Sequence, residues 1–390
     1  MIPLARALLF TSLAAVTLTT WGEGLWTIAL VLVAVLAAAA MLLLSRRPLR
    51  APPPPVQAVE WLLLGVAAWG FVQAFTGLTV YRHQTLAAAA YWTAIAAVFW
   101  LSGRLFFSAD PQAGRLQWVL AFACGVALLC VVQRYTSQGK FLWTFDTGYL
   151  DIYGPFASYM DYAAFVELIF PWAVFRSLER SPRRWFYAGA AALLFASVIM
   201  SASRAGAALL AGEFFAVLAL TMRKRPEERR RLLACGALIA AAGAVLSFAA
   251  GWERLWVRLH QDDPYALRRN MARSALAMFR ERPWAGFGLG NFPVAYPAYA
   301  YYDDGTRVNH AHNDWAEWAV EGGLPLAAAM LAVLGLSIGP ALRTIWGLGP
   351  IFVWAHALVD YPFRRLGVAV WILFVLAAVV NTSRRAPVAR

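Results

Sequence analysis

Cysteine is scarce in this 390-residue chain: Cys124, Cys130 and Cys235 are the three that occur, and each sits inside an apolar run. None has a His or Cys neighbour at metal-ligand spacing, which excludes a disulfide-stapled secreted scaffold and a cysteine-ligated metal centre. Free buried thiols are the ordinary reading. Charge is scarce too, at 14% of residues, where soluble globular domains carry about 25%. That shortage excludes an ordinary soluble enzyme and a disordered chain. Acidic residues are the rarer sign, 21 against 34 Lys and Arg, so the net charge is +13. A basic balance can signal nucleic-acid binding, but only the positions of the charges decide that.

What fills the chain instead is apolar: 61% of residues are hydrophobic. Apolar runs of the length needed to cross about 30 Å of hydrocarbon recur along it. They predict an all-α polytopic membrane protein with about twelve transmembrane helices, over 4–20, 25–44, 58–79, 84–102, 116–136, 160–178, 185–201, 205–221, 232–251, 324–338, 344–361 and 366–380. Gly339-Pro340 is expected to end the tenth span and Gly349-Pro350 to kink the eleventh. The first run could open a signal peptide, but no small-residue cleavage site with a soluble domain behind it follows, so it reads as a span. Three regions result: 1–251 with nine spans, 252–323 as a long outward helical segment, and 324–390 with three spans and a tail, all in one integrated membrane unit.

Twenty of the 34 basic residues fall in one set of connections, six in the short connections on the other side and eight within 252–323. Short-loop Lys and Arg mark the cytoplasmic face, so both termini are expected there. The basic residues are spread over many loops rather than forming a stripe with interleaved aromatics, which argues against nucleic acid. Many of the 18 Trp lie at span ends, as interfacial belts require.

Long ordered loops carry function more often than short ones, and the outward segment 252–323 has structure of its own. Asp263-Pro264 predicts a helix start, and the helix runs to about Arg282 with Leu267, Met271, Ala275 and Met278 as its apolar stripe. Arg268, Arg269, Arg273, Arg280 and Arg282 lie off that stripe; they suit lipid phosphates or a phosphorylated ligand. Gly286, Gly288 and Gly290 follow a helix rather than a strand, so they are a tight backbone path and not a dinucleotide loop. His310-Ala-His312-Asn313-Asp314 precedes a short helix capped by Asn313 or Asp314 and closed by Gly322-Gly323. Two histidines without a third ligand do not make a zinc site, whereas a single His near neutrality can act as a base. The doublets Asp262-Asp263 and Asp303-Asp304 read as a helix cap and a turn.

Ionisable residues at membrane depth are functional candidates by default. They are Glu167, Glu213, the i,i+4 pair His356 and Asp360 with Arg364 and Arg365 just beyond, and Arg204 at the outward tip of Ser201-Ala-Ser-Arg204-Ala-Gly206. Arg204 needs a carboxylate or a phosphate; an ion pair with Asp360 or a Glu is the plainest way to supply it.

The order Ser203-Arg204-Ala-Gly206, Arg268, Pro283-Trp-Ala-Gly-Phe-Gly-Leu-Gly290, His310-Ala-His312-Asn313 and Glu321-Gly-Gly resembles the superfamily of O-antigen ligases and O-antigen polymerases, over roughly 154–362. The resemblance implies a GT-C-like fold in the bacterial inner membrane, with the active site facing the periplasm. It implies a metal-independent, cofactor-free glycosyltransferase that uses a glycan on undecaprenyl pyrophosphate as donor and a glycolipid, glycan or protein hydroxyl as acceptor. Carried over by motif, Arg204 and Arg268 would contact the pyrophosphate and His312 would activate the acceptor. Arg269, His310, Asn313, Glu321, His356 and Asp360 would be further substrate-binding positions. In the stretch Gly154-Pro-Phe-Ala-Ser-Tyr-Met-Asp-Tyr-Ala163, Ser158 and Met160 stand where related sequences often carry Asn. A repeat-unit polymerase, a protein O-glycosylating enzyme and, in another class, a lipid or polysaccharide transporter are the alternatives.

Overall fold

The computed structural model describes residues 1–22, 24–45, 51–107, 115–146, 152–263, 265–301, 305 and 307–382. In chain order the helices are α1 (Ile2–Leu18), α2 (Leu25–Leu44), α3 (Pro54–Thr76), α4 (Arg82–Leu105), α5 (Arg115–Thr136), α6 (Tyr159–Glu167), α7 (Phe170–Ser177), α8 (Arg184–Ser201), α9 (Arg204–Lys224), α10 (Arg229–Ala250), α11 (Glu253–Leu259), α12 (Ala266–Glu281), α13 (Phe292–Ala295), α14 (Asp314–Thr344), α15 (Gly349–His356) and α16 (Leu366–Asn381). Among the described residues there is no strand, in keeping with the all-α expectation.

Eight helices, α2, α3, α4, α5, α8, α9, α10 and α14, are long and apolar enough to cross a membrane; α1 and α16 are apolar but shorter. The expected count of twelve is not reached, for two local reasons. The run 160–178 is not one helix: it breaks after Glu167 and restarts as α7 with Pro171 in its first turn, where a missing N–H costs nothing. The run 344–361 contains a single turn and the eight-residue α15. Gly339-Pro340 does not end a helix, since α14 continues through Pro340 to Thr344; prolines are tolerated at membrane depth. The start at Pro264, the Asp303-Asp304 turn, Arg46, Arg47, Arg50 and the basic tail from 383 lie outside the described residues.

α16 is the axis of the bundle: every residue from Leu366 to Asn381 is buried, packed on α4, α1 and α14. α3 lies along α4, and α8 along α10. The segment between α10 and α14 is stitched to this frame. α12 buries Ser274, Ala275 and Met278 over a small second core with Phe287, Phe292, Tyr296 and Val320, while Leu267, expected on that stripe, is exposed. Gln73 in α3 donates to the carbonyls of Ala285 (2.7 Å) and Glu321 (2.8 Å) and accepts from the Leu289 amide (3.1 Å). Asn291, fully buried, accepts from the Tyr81 amide (3.0 Å) and donates to Thr85 (2.6 Å).

The glycine run is the tight path its spacing suggests. Gly286 has φ +67°, and a Cβ there would stand 2.4 Å from the Glu321 carbonyl oxygen. Gly286→Ala therefore combines a left-handed backbone with a backbone clash and should lower stability by about 1–3 kcal/mol. Gly335→Ala in α14, with nothing within 4 Å, should be neutral or stabilising. Thermal unfolding of the two variants in detergent measures the contrast.

Candidate functional site

Arg204 is placed by a helix start. Ala202, with φ +62°, closes α8, and the Ser203 hydroxyl caps α9 by accepting the Gly206 amide at 3.1 Å. The Arg204 guanidinium donates to the Arg258 carbonyl at 3.0 Å and lies 5.1 Å from the Tyr265 ring centre. Arg268 comes to the same ring, at 5.9 Å, from the first turn of α12 and meets the Met160 sulfur at 3.1 Å. Arg204, Arg258 and Arg268 line one small cavity of about 50 Å³ with Tyr159, Met160, Tyr265 and Val359. Among the described residues, neither Arg204 nor Arg268 has a carboxylate within ion-pair distance, so the expected Arg204 pair with Asp360 or a Glu does not form. Arg269 turns the other way: it is exposed and pairs with Asp263, whose carboxyl it holds below the usual range through their hydrogen bonds. Asp263 is thereby engaged by a guanidinium rather than held open for a cation.

The histidines enter on the irregular segment before α14. Asn313 is the cap, accepting the Ala316 amide at 3.0 Å. His312 adopts φ +51°, and its Nδ1 lies 3.1 Å from Asp360 Oδ1, with 29% of the side chain exposed. His310 Nδ1 lies 3.3 Å from Glu317 Oε2, and its ring stacks on Tyr361 at 4.1 Å. His312 meets the same Tyr361 edge-on at 5.0 Å. Arg268 is close enough to Asp360 for their charges to interact, which links the arginine cavity to the His312 carboxylate. The three residues with assigned motif roles thus gather around one corner, between α9, α12 and the α15–α16 turn.

Behind this corner sits a hub that the sequence did not single out. Arg364 is surrounded by Asp314 Oδ1 (3.7 Å), Glu317 Oε2 (3.1 Å) and Glu321 Oε2 (2.6 Å), all from one face of α14. The second oxygen of each carboxylate accepts a backbone amide: Phe363 for Asp314 (2.9 Å), Ala311 for Glu317 (2.6 Å) and Phe292 for Glu321 (3.0 Å). Glu321 and His356, proposed as substrate contacts from their motifs, are both buried; His356 bonds Glu167 at 2.8 Å. α14 breaks at Gly323, as the glycine pair predicts, and resumes as the long span. A second cavity of about 440 Å³ is lined by His310, Glu317, Glu321 and Arg364 together with Tyr91 and Arg307. A third, about 340 Å³, adjoins the arginine cavity through Tyr159 and Arg258.

Sequence reasoning missed Arg258, Tyr265 and Tyr361. Arg258 is one of eight basic residues in its segment and carries no motif. Met160, noted as a departure, proves to be the partner of Arg268, and Ser158, the other departure, caps α6.

Residues 189–331 match the family model described as O-antigen ligase, a little over a third of the chain. The matched stretch runs from α8 into α14 and contains Arg204, Arg268, the glycine path, both histidines and Glu321. The resemblance drawn from the motifs therefore holds over the segment that carries them. No curated protein matches the chain.

Arg364→Met would leave three buried carboxylates without their cation. Loss of one partner from a buried ionic cluster costs about 3–5 kcal/mol, so this variant should accumulate poorly or melt far below the wild type. A wild-type melting profile would show that the hub is dispensable.

Proposed function

We propose that the chain transfers a glycan from undecaprenyl pyrophosphate to an acceptor hydroxyl at the outer face of the bacterial inner membrane, in the manner of O-antigen ligases. The observation that carries this reading is the convergence of Arg204 and Arg268, neither paired with a carboxylate, on one cavity beside a His312 held by Asp360. An anionic ligand completes such a cavity, and a diphosphate offers pairs of charged oxygens that the planar guanidinium fork can bind bidentately.

The chemistry follows from the geometry. The Asp360 carboxylate accepts from His312 Nδ1–H, which leaves the Nε2 lone pair as the base. Nε2 takes the acceptor hydroxyl proton as that oxygen bonds the anomeric carbon. The carbon–oxygen bond to the diphosphate breaks, and its electron pair leaves with the diphosphate. Arg204 and Arg268 meet the charge that develops there. Attack opposite the leaving group inverts the anomeric centre. In this reading the guanidinium pair does the work of charge neutralisation, so no metal is required. Arg258, on the cavity wall and stacked 4.1 Å over Tyr159, would join the diphosphate contacts. A donor-linked chain serving as its own acceptor would make the same site a polymerase.

Purified protein supplied with an undecaprenyl-pyrophosphate-linked oligosaccharide and with core lipopolysaccharide tests the reading. Transfer to the core supports a ligase; elongation of the donor supports a polymerase. Arg204→Ala or Arg268→Ala should lower kcat by about 100–1000-fold, and His312→Ala by about 100–10,000-fold, with unchanged abundance in the membrane. Arg269→Ala should remain near wild type, since its exposed pair contributes little. Full turnover by His312→Ala or Arg204→Ala would remove the assignment.

A further inference from the structure

A second acid–imidazole pair lies behind His312, untouched by the transfer chemistry. His356 ends α15 and Glu167 ends α6; both are closed to solvent, and His356 Nδ1 bonds Glu167 Oε1 at 2.8 Å. The start of α15 is referenced to the same place. A Cβ on Gly349 would lie 2.5 Å from the Glu167 carbonyl oxygen and 2.6 Å from that of Leu168, so the helix begins in direct backbone contact with the break between α6 and α7. This short helix is therefore a strut, seated at one end by backbone contact and clamped at the other by a side-chain bond.

The strut ends at the base. The His356 carbonyl accepts the amides of Val359 (2.9 Å) and Asp360 (3.0 Å), which fixes the turn carrying the carboxylate that holds His312. The Asp314 amide, two residues after His312, donates to the carbonyls of Ala357 (2.9 Å) and Asp360 (3.1 Å). One turn thus carries the Asp360 side chain and docks the backbone of the segment that presents His312.

We propose that His356 is a positioning residue for glycan transfer: clamped by Glu167, it sets the 357–360 turn so that Asp360 meets His312 Nδ1. This rests on the reading of His312 as the base. His356 itself is buried and touches no substrate; its effect reaches the reaction through Asp360. The clamp depends on a donor at the Nδ1 position. An Asn side chain places its amide nitrogen where Nδ1 stands, and a Gln side chain places it where Nε2 stands.

The test compares His356→Asn with His356→Gln, using an undecaprenyl-pyrophosphate-linked oligosaccharide with core lipopolysaccharide, or alone if the donor is also the acceptor. His356→Gln should lose about 10–100-fold in kcat, the usual scale for a group that orients a catalytic residue, with the donor KM of the wild type and a lowered melting temperature, since buried Glu167 loses its donor. His356→Asn should restore most of the kcat. Wild-type kcat in His356→Gln, a loss carried by KM, an equal loss in both variants or failure of both to fold would each overturn the proposal. His356→Ala is left out because it deletes packing as well as the donor. His312→Ala runs in parallel: if it retains activity the base assignment falls, and if it is inactive while His356→Gln is normal, only the present inference falls.

Discussion

Charge that enters an apolar fold must find opposite charge or hydrogen bonds, and Arg364 is where this chain meets that demand most densely. One guanidinium gathers three carboxylates from α14, and each carboxylate spends its other oxygen on a backbone amide of the surrounding turns. Burial of any one of these groups alone would cost several kcal/mol. Together they tie the start of α14, the histidine segment, the end of the glycine path and the α15–α16 turn to one point. The positions of His310 and His312 follow from that knot, because Ala311 between them is held by Glu317.

The same demand is met differently in the arginine cavity. Arg204 and Arg268 are held by an aromatic ring, a carbonyl and a thioether, none of which cancels a charge. A protein that pairs Arg364 three times over and Arg104 with Glu60 does not lack carboxylates for this corner; it withholds them. Withheld counter-charge beside a His312 held by Asp360 is the arrangement that, on the proposed reading, would stabilise a departing anion.

Much of this was legible in the sequence, and the failures have a common cause. Long apolar runs gave α2 to the residue and α3 to α5 and α8 to α10 to within about four residues at each end, because lipid-facing helices need both length and apolarity. The runs 160–178 and 344–361 are as apolar but serve the protein interior, where a chain can break and turn once its polar groups are satisfied by neighbours. Protein interior and lipid are nearly equal in apolarity, so hydropathy cannot separate α15, wrapped by other helices, from a span. The order of motifs singled out Arg204, Arg268 and His312 as candidates. It could not identify Tyr265 or Arg258, whose roles come from which face of a helix meets the bundle, nor Arg364, whose three partners lie more than forty residues away.

The segment between α10 and α14 would be of little use as a free loop. Arg268 sits on α12 and Arg204 on α9, so their convergence depends on how rigidly 252–313 is fixed to the spans. Gln73 and Asn291 do that fixing from fully buried positions, through amide groups that bond backbone and hydroxyls on both sides. Their bonds are made in an apolar setting, where leaving a partner unsatisfied costs more than it would at the surface. Among the described residues, Arg204 and Arg268 therefore share one cavity without a carboxylate at ion-pair distance. The energy of that unfavourable grouping is met by folding rather than by binding, and on the proposed reading a diphosphate would find its counter-charge already in place.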